Sequence, residues 1–165
     1  MRFPTSYDQL MAGVEMRIIT NGYTMQGVLP DPDCVGWTYT IGLSKSFDLP
    51  ELVITNIDNS IAASMLTWVV EQLQDGACLD DLDPAQFTAV PVHPTHLSGE
   101  LMHMWREHYG EEPSTVEVIQ LQLGAEFGCP CCVSTQVDLT DPTATLDGAR
   151  RLNRAQRRAQ RKRRR

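Results

Sequence analysis

Thr38, Thr40 and Gly42 alternate along one side of the stretch Trp37 to Leu43, and Glu51 follows after a polar loop. Two hydroxyls, an open glycine and a carboxylate are the ingredients of a small-molecule pocket, which needs a few oriented donors and acceptors on an otherwise apolar wall. Tyr39 lies within the same strand, and Pro50 opens the next strand where no amide is needed. The candidate ligand-binding set is therefore Thr38, Tyr39, Thr40, Gly42, Pro50 and Glu51. The plainer alternative is that threonines favour strands and Glu51 is a solvated or capping residue. In the body of the chain only Lys45 and Arg106 are placed to neutralise a phosphate, which counts against a bound nucleotide or flavin.

Cys129, Cys131 and Cys132 form a second cluster, and His93 and His96 supply a matching pair across two residues. Thiolates and imidazoles suit zinc. However, Cys131 and Cys132 are adjacent and point apart in a strand, and no cysteine pair has the two-residue gap of a zinc knuckle. The plain reading is a turn with small, partly buried thiols. A reactive thiol is disfavoured, because an acidic body raises a thiol pKa. His93 and His96 could act as general base with Glu100 or Glu51 as the carboxylate. His108 reads as a core histidine and His103 as an exposed one. No phosphate-cradling glycine loop, nucleophile elbow or zinc-protease helix is present, so catalytic residues are unassigned and no cofactor is expected, with zinc or flavin as the minor alternatives.

The strongest interaction signal is the C-terminus. Of 14 basic residues, ten are Arg150, Arg151, Arg154, Arg157, Arg158, Arg161, Lys162, Arg163, Arg164 and Arg165. All 21 acidic residues precede them, against four basic ones, so residues 1–149 carry −17 and the tail +10. The net −7 and a pI near 5.0 describe neither part. Asp147 is a potential helix cap, but Arg150/Arg154, Arg154/Arg158, Arg157/Arg161 and Arg158/Lys162 repel at one-turn spacing. The expectation is a tail that is disordered alone and helical once an anion neutralises it. Nucleic acid, anionic lipid and an acidic protein surface all qualify. Nucleic acid would be held through phosphates without base readout, since no aromatic is interleaved. The alternative is folding back on Asp80, Asp81, Asp83, Glu111 and Glu112.

These groups must be positioned by a chain of 165 residues, which fits one domain with a real core. Five cysteines without a paired pattern, no secretory leader and no apolar run near the roughly 18–20 residues needed to span a bilayer predict a cytoplasmic protein. Thr5 is placed to cap a helix whose apolar stripe is Tyr7, Leu10, Met11, Val14 and Ile18, with Asn21 and Gly22 as the stop. Tyr23 to Val28 predicts a strand and Pro30 to Asp33 a loop. Trp37, Tyr39, Ile41 and Leu43 give a strand an apolar face. Glu51 to Ile57 is the next strand. Asp58 caps a helix facing inward through Ile61, Met65, Trp68, Val69 and Leu73, and Gly76 ends it. Further on, Phe87 to Val92 is a strand, Leu97 to His108 a helix stopped by Gly110, and Thr115 to Leu123 a strand with Ile119, Leu121 and Leu123 inward. Val133, Thr135, Val137 and Leu139 suggest a last strand.

The run from Trp37 to Leu43, and then Leu49, Pro50, Glu51, Leu52, Val53 and Ile54, resembles the bacterial domain-of-unknown-function family 4262. Its members carry an aromatic-Tyr-Thr-Val-Gly-Leu strand followed by Pro-Glu-Leu-Val. The likeness runs from about Val14 to Cys131 and includes Asn21, Gly22 and Tyr23 and the strand Leu121, Gln122 and Leu123. Members then show a proline-tryptophan pair, whereas here Cys131 follows Pro130, so a role for that tryptophan does not carry over. The resemblance implies a fold and assigns no activity. The central strand is also similar to that of flavin-binding split barrels, where hydroxyls border the flavin phosphate.

Taken together, the expectation is a single α+β domain, a mainly antiparallel sheet or partial barrel with three packed helices and a basic C-terminal tail. Residues 1–146 would form the acidic globular part and 147–165 the arginine-rich tail. Functionally it reads as a bacterial or phage-type accessory protein. A recognition domain would bind an unknown protein or small molecule, and the tail would contact nucleic acid or an acidic protein. The competing expectation is a small enzyme or cofactor-binding domain with a pocket at Thr38 to Gly42.

Overall fold

The computed structural model describes residues 6–30, 34–98, 101–124, 126–127, 136–144 and 146. Helix α1 spans Tyr7–Asn21. Its cap is Ser6, whose hydroxyl accepts from the Gln9 amide at 3.3 Å; Thr5 lies outside the described residues. Gly22 ends the helix at φ 80°, and its amide donates to the Ile18 carbonyl. Strand β1 (Thr24–Val28) pairs antiparallel with β2 (Trp37–Ile41), with Thr24 opposite Ile41 and Val28 opposite Trp37. A single-turn helix, α2 (Leu43–Ser46), leads to β3 (Glu51–Thr55), which runs antiparallel to β2.

Helix α3 (Asn59–Gln74) starts at Asp58, whose carboxylate accepts from the Ser60 and Ile61 amides. It buries Ala62, Leu66, Val69, Val70 and Leu73. The predicted stripe through Ile61, Met65 and Trp68 is therefore rotated: Ile61 and Trp68 are exposed. At the first turn Ala62 is fully buried and its larger neighbour Ile61 is 51% exposed.

Strand β4 (Phe87–Pro91), short helices α4 (Pro94–Leu97) and α5 (His103–Tyr109), and strand β5 (Val118–Leu123) complete the strands and α-helices among the described residues. The single helix expected from Leu97 to His108 is thus two. His108 is half-buried, whereas Met104 and Trp105 provide the buried face of α5. The strand expected at Val133 to Leu139 is not one where it is described. Val133 and Thr135 lie outside the described residues, and Val137 and Leu139 take no strand geometry. Their amides bond to side chains instead, Val137 to Thr55 Oγ1 at 3.2 Å and Leu139 to Gln120 Oε1 at 2.8 Å.

The five strands form an open sheet in the order β1-β2-β3-β5-β4. Every pairing is antiparallel except β3 with β5. The sheet is not closed into a partial barrel, because β1 and β4 stand at opposite edges. The architecture is α+β, with α1, α3 and α5 as its substantial helices.

Both faces of the sheet are covered. One carries Trp37, Tyr39, Ile41, Val53 and Val118 against Val14 of α1, Met104 and Trp105 of α5, and Leu139 of the C-terminal segment. The other carries Leu52, Ile54, Ile119, Leu121 and Leu123 against α3. Alternation along β2 and β3 divides the two cores, as the pleat requires.

Candidate functional site

The polar side of β2 does not lie open. Thr38 is buried and donates to Asn59 Oδ1 at the start of α3, at 3.1 Å. Tyr39 points to the other face, where its hydroxyl oxygen accepts from the Met104 amide at 3.0 Å. Burial holds its pKa well above the usual tyrosine value. Thr40, Gly42 and Glu51, by contrast, converge. Thr40 donates to Glu51 Oε2 at 2.7 Å and accepts from the Leu52 amide at 2.8 Å. Glu51 Oε1 accepts from the Gly42 amide at 2.9 Å, the Ser44 amide at 3.2 Å, the Ser44 hydroxyl at 2.9 Å and the Trp105 indole N–H at 3.0 Å. Pro50 is half-buried beside this group in sequence.

Glu51 is fully buried. Removing a carboxylate from water is costly unless hydrogen bonds replace its hydration, and five donors do so here. The network ties β2, α2, β3 and α5 together at one end of the sheet. Gly42 is needed there for two reasons. Its φ is 114°, and a Cβ would stand 2.6 Å from the Gly22 carbonyl oxygen. The close approach at Gly42 is therefore made by the chain's own backbone.

Around this buried carboxylate lie residues that the strand pattern did not single out. Lys45 Nζ pairs with Glu111 at 2.7 Å and stands 5.8 Å from the Trp105 ring centroid and 5.6 Å from that of Tyr109. The Trp105 and Tyr109 rings are 4.8 Å apart. The Tyr109 hydroxyl is buried and has no hydrogen-bond partner among the described residues. Its pKa is pushed up to about 12, first by burial and then by the negative charges of Glu51 and Glu111. The only sequence signal for this arrangement is an aromatic pair, Trp105 and Tyr109, one helical turn apart before Gly110.

The histidine pair sits elsewhere. His93 Nδ1 contacts Thr95 Oγ1 at 2.9 Å, and His96 Nε2 contacts the Asp141 carbonyl at 2.8 Å. Neither is among the hydrogen-bond partners of Glu51, whose acceptors are taken by the groups above, and Glu100 lies outside the described residues. The Asp141 carboxyl is held below the usual range, chiefly by hydrogen bonds from Thr143 and less by the two histidines. Among the described residues no three His, Cys, Asp or Glu side chains are grouped to hold a metal. Cys129, Cys131, Cys132 and the basic residues from Arg150 to Arg165 lie outside the described residues. Two of the acidic groups suggested as a dock for that tail have other partners: Glu111 holds Lys45, and Glu112 stands 3.8 Å from Arg106. No helix among the described residues is long and apolar enough to cross a membrane.

A family model described as "Domain of unknown function (DUF4262)" matches residues 17–128, more than half of the chain. No curated protein and no solved structure matches it.

Proposed function

The chain belongs to the DUF4262 family, and from that premise we propose that it is an accessory binding protein. The globular domain recognises a protein or small molecule, and the arginine-rich tail holds an anionic partner, nucleic acid foremost. The observation that carries this reading is the separation of charge: +10 within residues 150–165 against −17 in the rest. Such a basic block gathers phosphates by releasing their counterions, with no need for base readout. An acidic body keeps the same polyanion off the rest of the surface.

The competing idea, an enzyme with its pocket at Thr38 to Gly42, draws less support. Thr38, Thr40, Gly42 and Glu51 are buried, and their polar groups are spent on Asn59, Leu52, Ser44, Trp105 and one another. Groups paired in this way position the backbone and have little left to offer a substrate.

The test is fluorescence anisotropy of a labelled single-stranded oligonucleotide with the full chain and with a chain ending at Gly148. The full chain is expected to bind without sequence preference. Each phosphate contact adds about −0.7 to the log–log salt slope, so five contacts give about −3.5. The truncated chain is expected not to bind. Equal binding by both chains, or none by the full chain at low salt, overturns the proposal.

A further inference from the structure

Lys45 is exposed, yet its ammonium is not simply solvated. It stands over two aromatic faces, both within the roughly 6 Å at which a ring attracts a cation. One carboxylate, Glu111, contacts it directly. A second, Glu51, lies buried under the same helix end and is bonded to one of the two rings. Beside them the Tyr109 hydroxyl is buried, with no hydrogen-bond partner among the described residues. A site for an anion would need donors. Here the groups supplied by α5 and the residues after it are two π faces and an acidic side chain, which favour a positive charge, and a hydroxyl that can accept as well as donate.

We infer that Trp105, Tyr109 and Glu111 form a cradle for an alkylammonium group, and that Lys45 occupies it as a built-in ligand. The cradle is rigid where it must be. Trp105 is fully buried and fixed by its bond to Glu51, and Gly110, at φ 64°, ends α5 one residue before Glu111. The built-in ligand, in contrast, is held loosely. Its side chain is 38% exposed and its carboxylate partner 45%, so solvent and salt weaken the pair. An incoming ammonium would take the place of the Lys45 Nζ at the two rings and the Glu111 carboxylate, free of the tether to α2. The ligand chemistry is a primary alkylammonium, from a free amine or from a lysine of a partner protein. This inference is independent of the tail, since every variant below keeps residues 147–165 intact.

The test is titration of n-butylammonium into the full chain, followed by NMR at the Trp105 indole N–H and the Tyr109 ring. Sodium at equal ionic strength is the control. Lys45→Gln is expected to give saturable shifts at both reporters, with binding about tenfold tighter than in the wild type, as removal of one weak ion pair and two exposed cation–π contacts allows. Adding Glu111→Gln to Lys45→Gln is expected to abolish the shifts at both reporters, and adding Tyr109→Leu to abolish the shift at the Trp105 indole. A blocked Gly-Gly-Lys-Gly-Gly peptide separates the sources: tighter binding than n-butylammonium points to a partner's lysine, equal binding to a free amine. Lys45→Met, which keeps the aliphatic stem, serves if Lys45→Gln disturbs the fold. A folded Lys45 variant whose Trp105 and Tyr109 signals do not move with amine overturns the inference. So does binding that persists unchanged without Glu111.

Discussion

The indole N–H of Trp105 donates to Glu51 at 3.0 Å, joining two fully buried residues that lie 54 positions apart. One bond thus fixes α5 to the start of β3, and the same carboxylate oxygen holds the turn at Gly42 and Ser44. The role of Glu51 is therefore open to a stability measurement.

Glu51→Ala is expected to cost about 3 kcal/mol or more, because it strands the Gly42 and Ser44 amides and the Trp105 indole, each at about 1–3 kcal/mol when buried and unpaired. Glu51→Gln should cost less, since its oxygen can keep the Oε1 bonds while its amide faces Thr40. Urea denaturation of both variants checks the order. A Glu51→Ala loss below about 1 kcal/mol would remove the positioning role.

Gly42→Ala is expected to destabilise by more than about 2 kcal/mol. The new Cβ meets the Gly22 carbonyl oxygen at 2.6 Å, and a φ of 114° is strained for any L side chain. Gly76→Ala is the comparison, with φ 96° but nothing within 4 Å of its Cβ. It reports the backbone strain alone and should be the milder change. Thermal melts that ranked the two the other way would refute the close approach at Gly42.

The rotated face of α3 predicts a contrast between neighbours. Leu66→Ala should cost about 2–5 kcal/mol through the cavity it leaves. Ile61→Ser, at a position 51% exposed, should stay within about 1 kcal/mol. Equal losses at the two positions would mean that the helix packs as its hydrophobic pattern first suggests.

Tyr109 sets a pH dependence. Its folded-state pKa of about 12 lies above the ordinary 10.0, so the unfolded chain releases this proton first. Stability is full below pH 10 and falls as pH rises from there toward 12. Tyr39 shifts in the same direction and adds to the loss. Tyr109→Phe should leave stability at pH 7 nearly unchanged, because the hydroxyl has no partner to lose among the described residues, and should flatten part of the alkaline decline. Urea midpoints at pH 8, 10 and 11 measure both effects; an unchanged slope in Tyr109→Phe counts against the perturbed hydroxyl.

Period-two alternation made β2 and β5 legible, Pro50 marked the start of β3, the apolar stripe and Gly22 marked α1, and the Asp58 cap marked α3, because these signals act over a few residues. Asp58 caps α3 as its side-chain chemistry suggests, and Gly22 and Gly110 end their helices at positive φ. The buried face of α3 is not legible in the sequence, because apolar residues occupy more than one side of the helix and packing against the sheet selects among them. The Glu51 network was half legible. Thr40, Gly42 and Glu51 stand within 12 residues of one another, but Trp105 reaches them across the fold, and spacing along the chain carries no trace of that. The segment at Val137 and Leu139 alternates like a strand, yet side chains of Thr55 and Gln120 take its amides. A pattern of alternation reports which residues face inward, without saying what bonds the backbone makes.

That last segment has a mechanical consequence. Traced back from Leu146, its carbonyl takes the Val35 amide, Asp141 meets His96, Leu139 meets His93 and Gln120, and Val137 meets Thr55. Four separate parts of the molecule thus grip the chain in series just before its arginine-rich end. A load applied to that end would be shared among these anchors in turn, entering near β2 and reaching the centre of the sheet last.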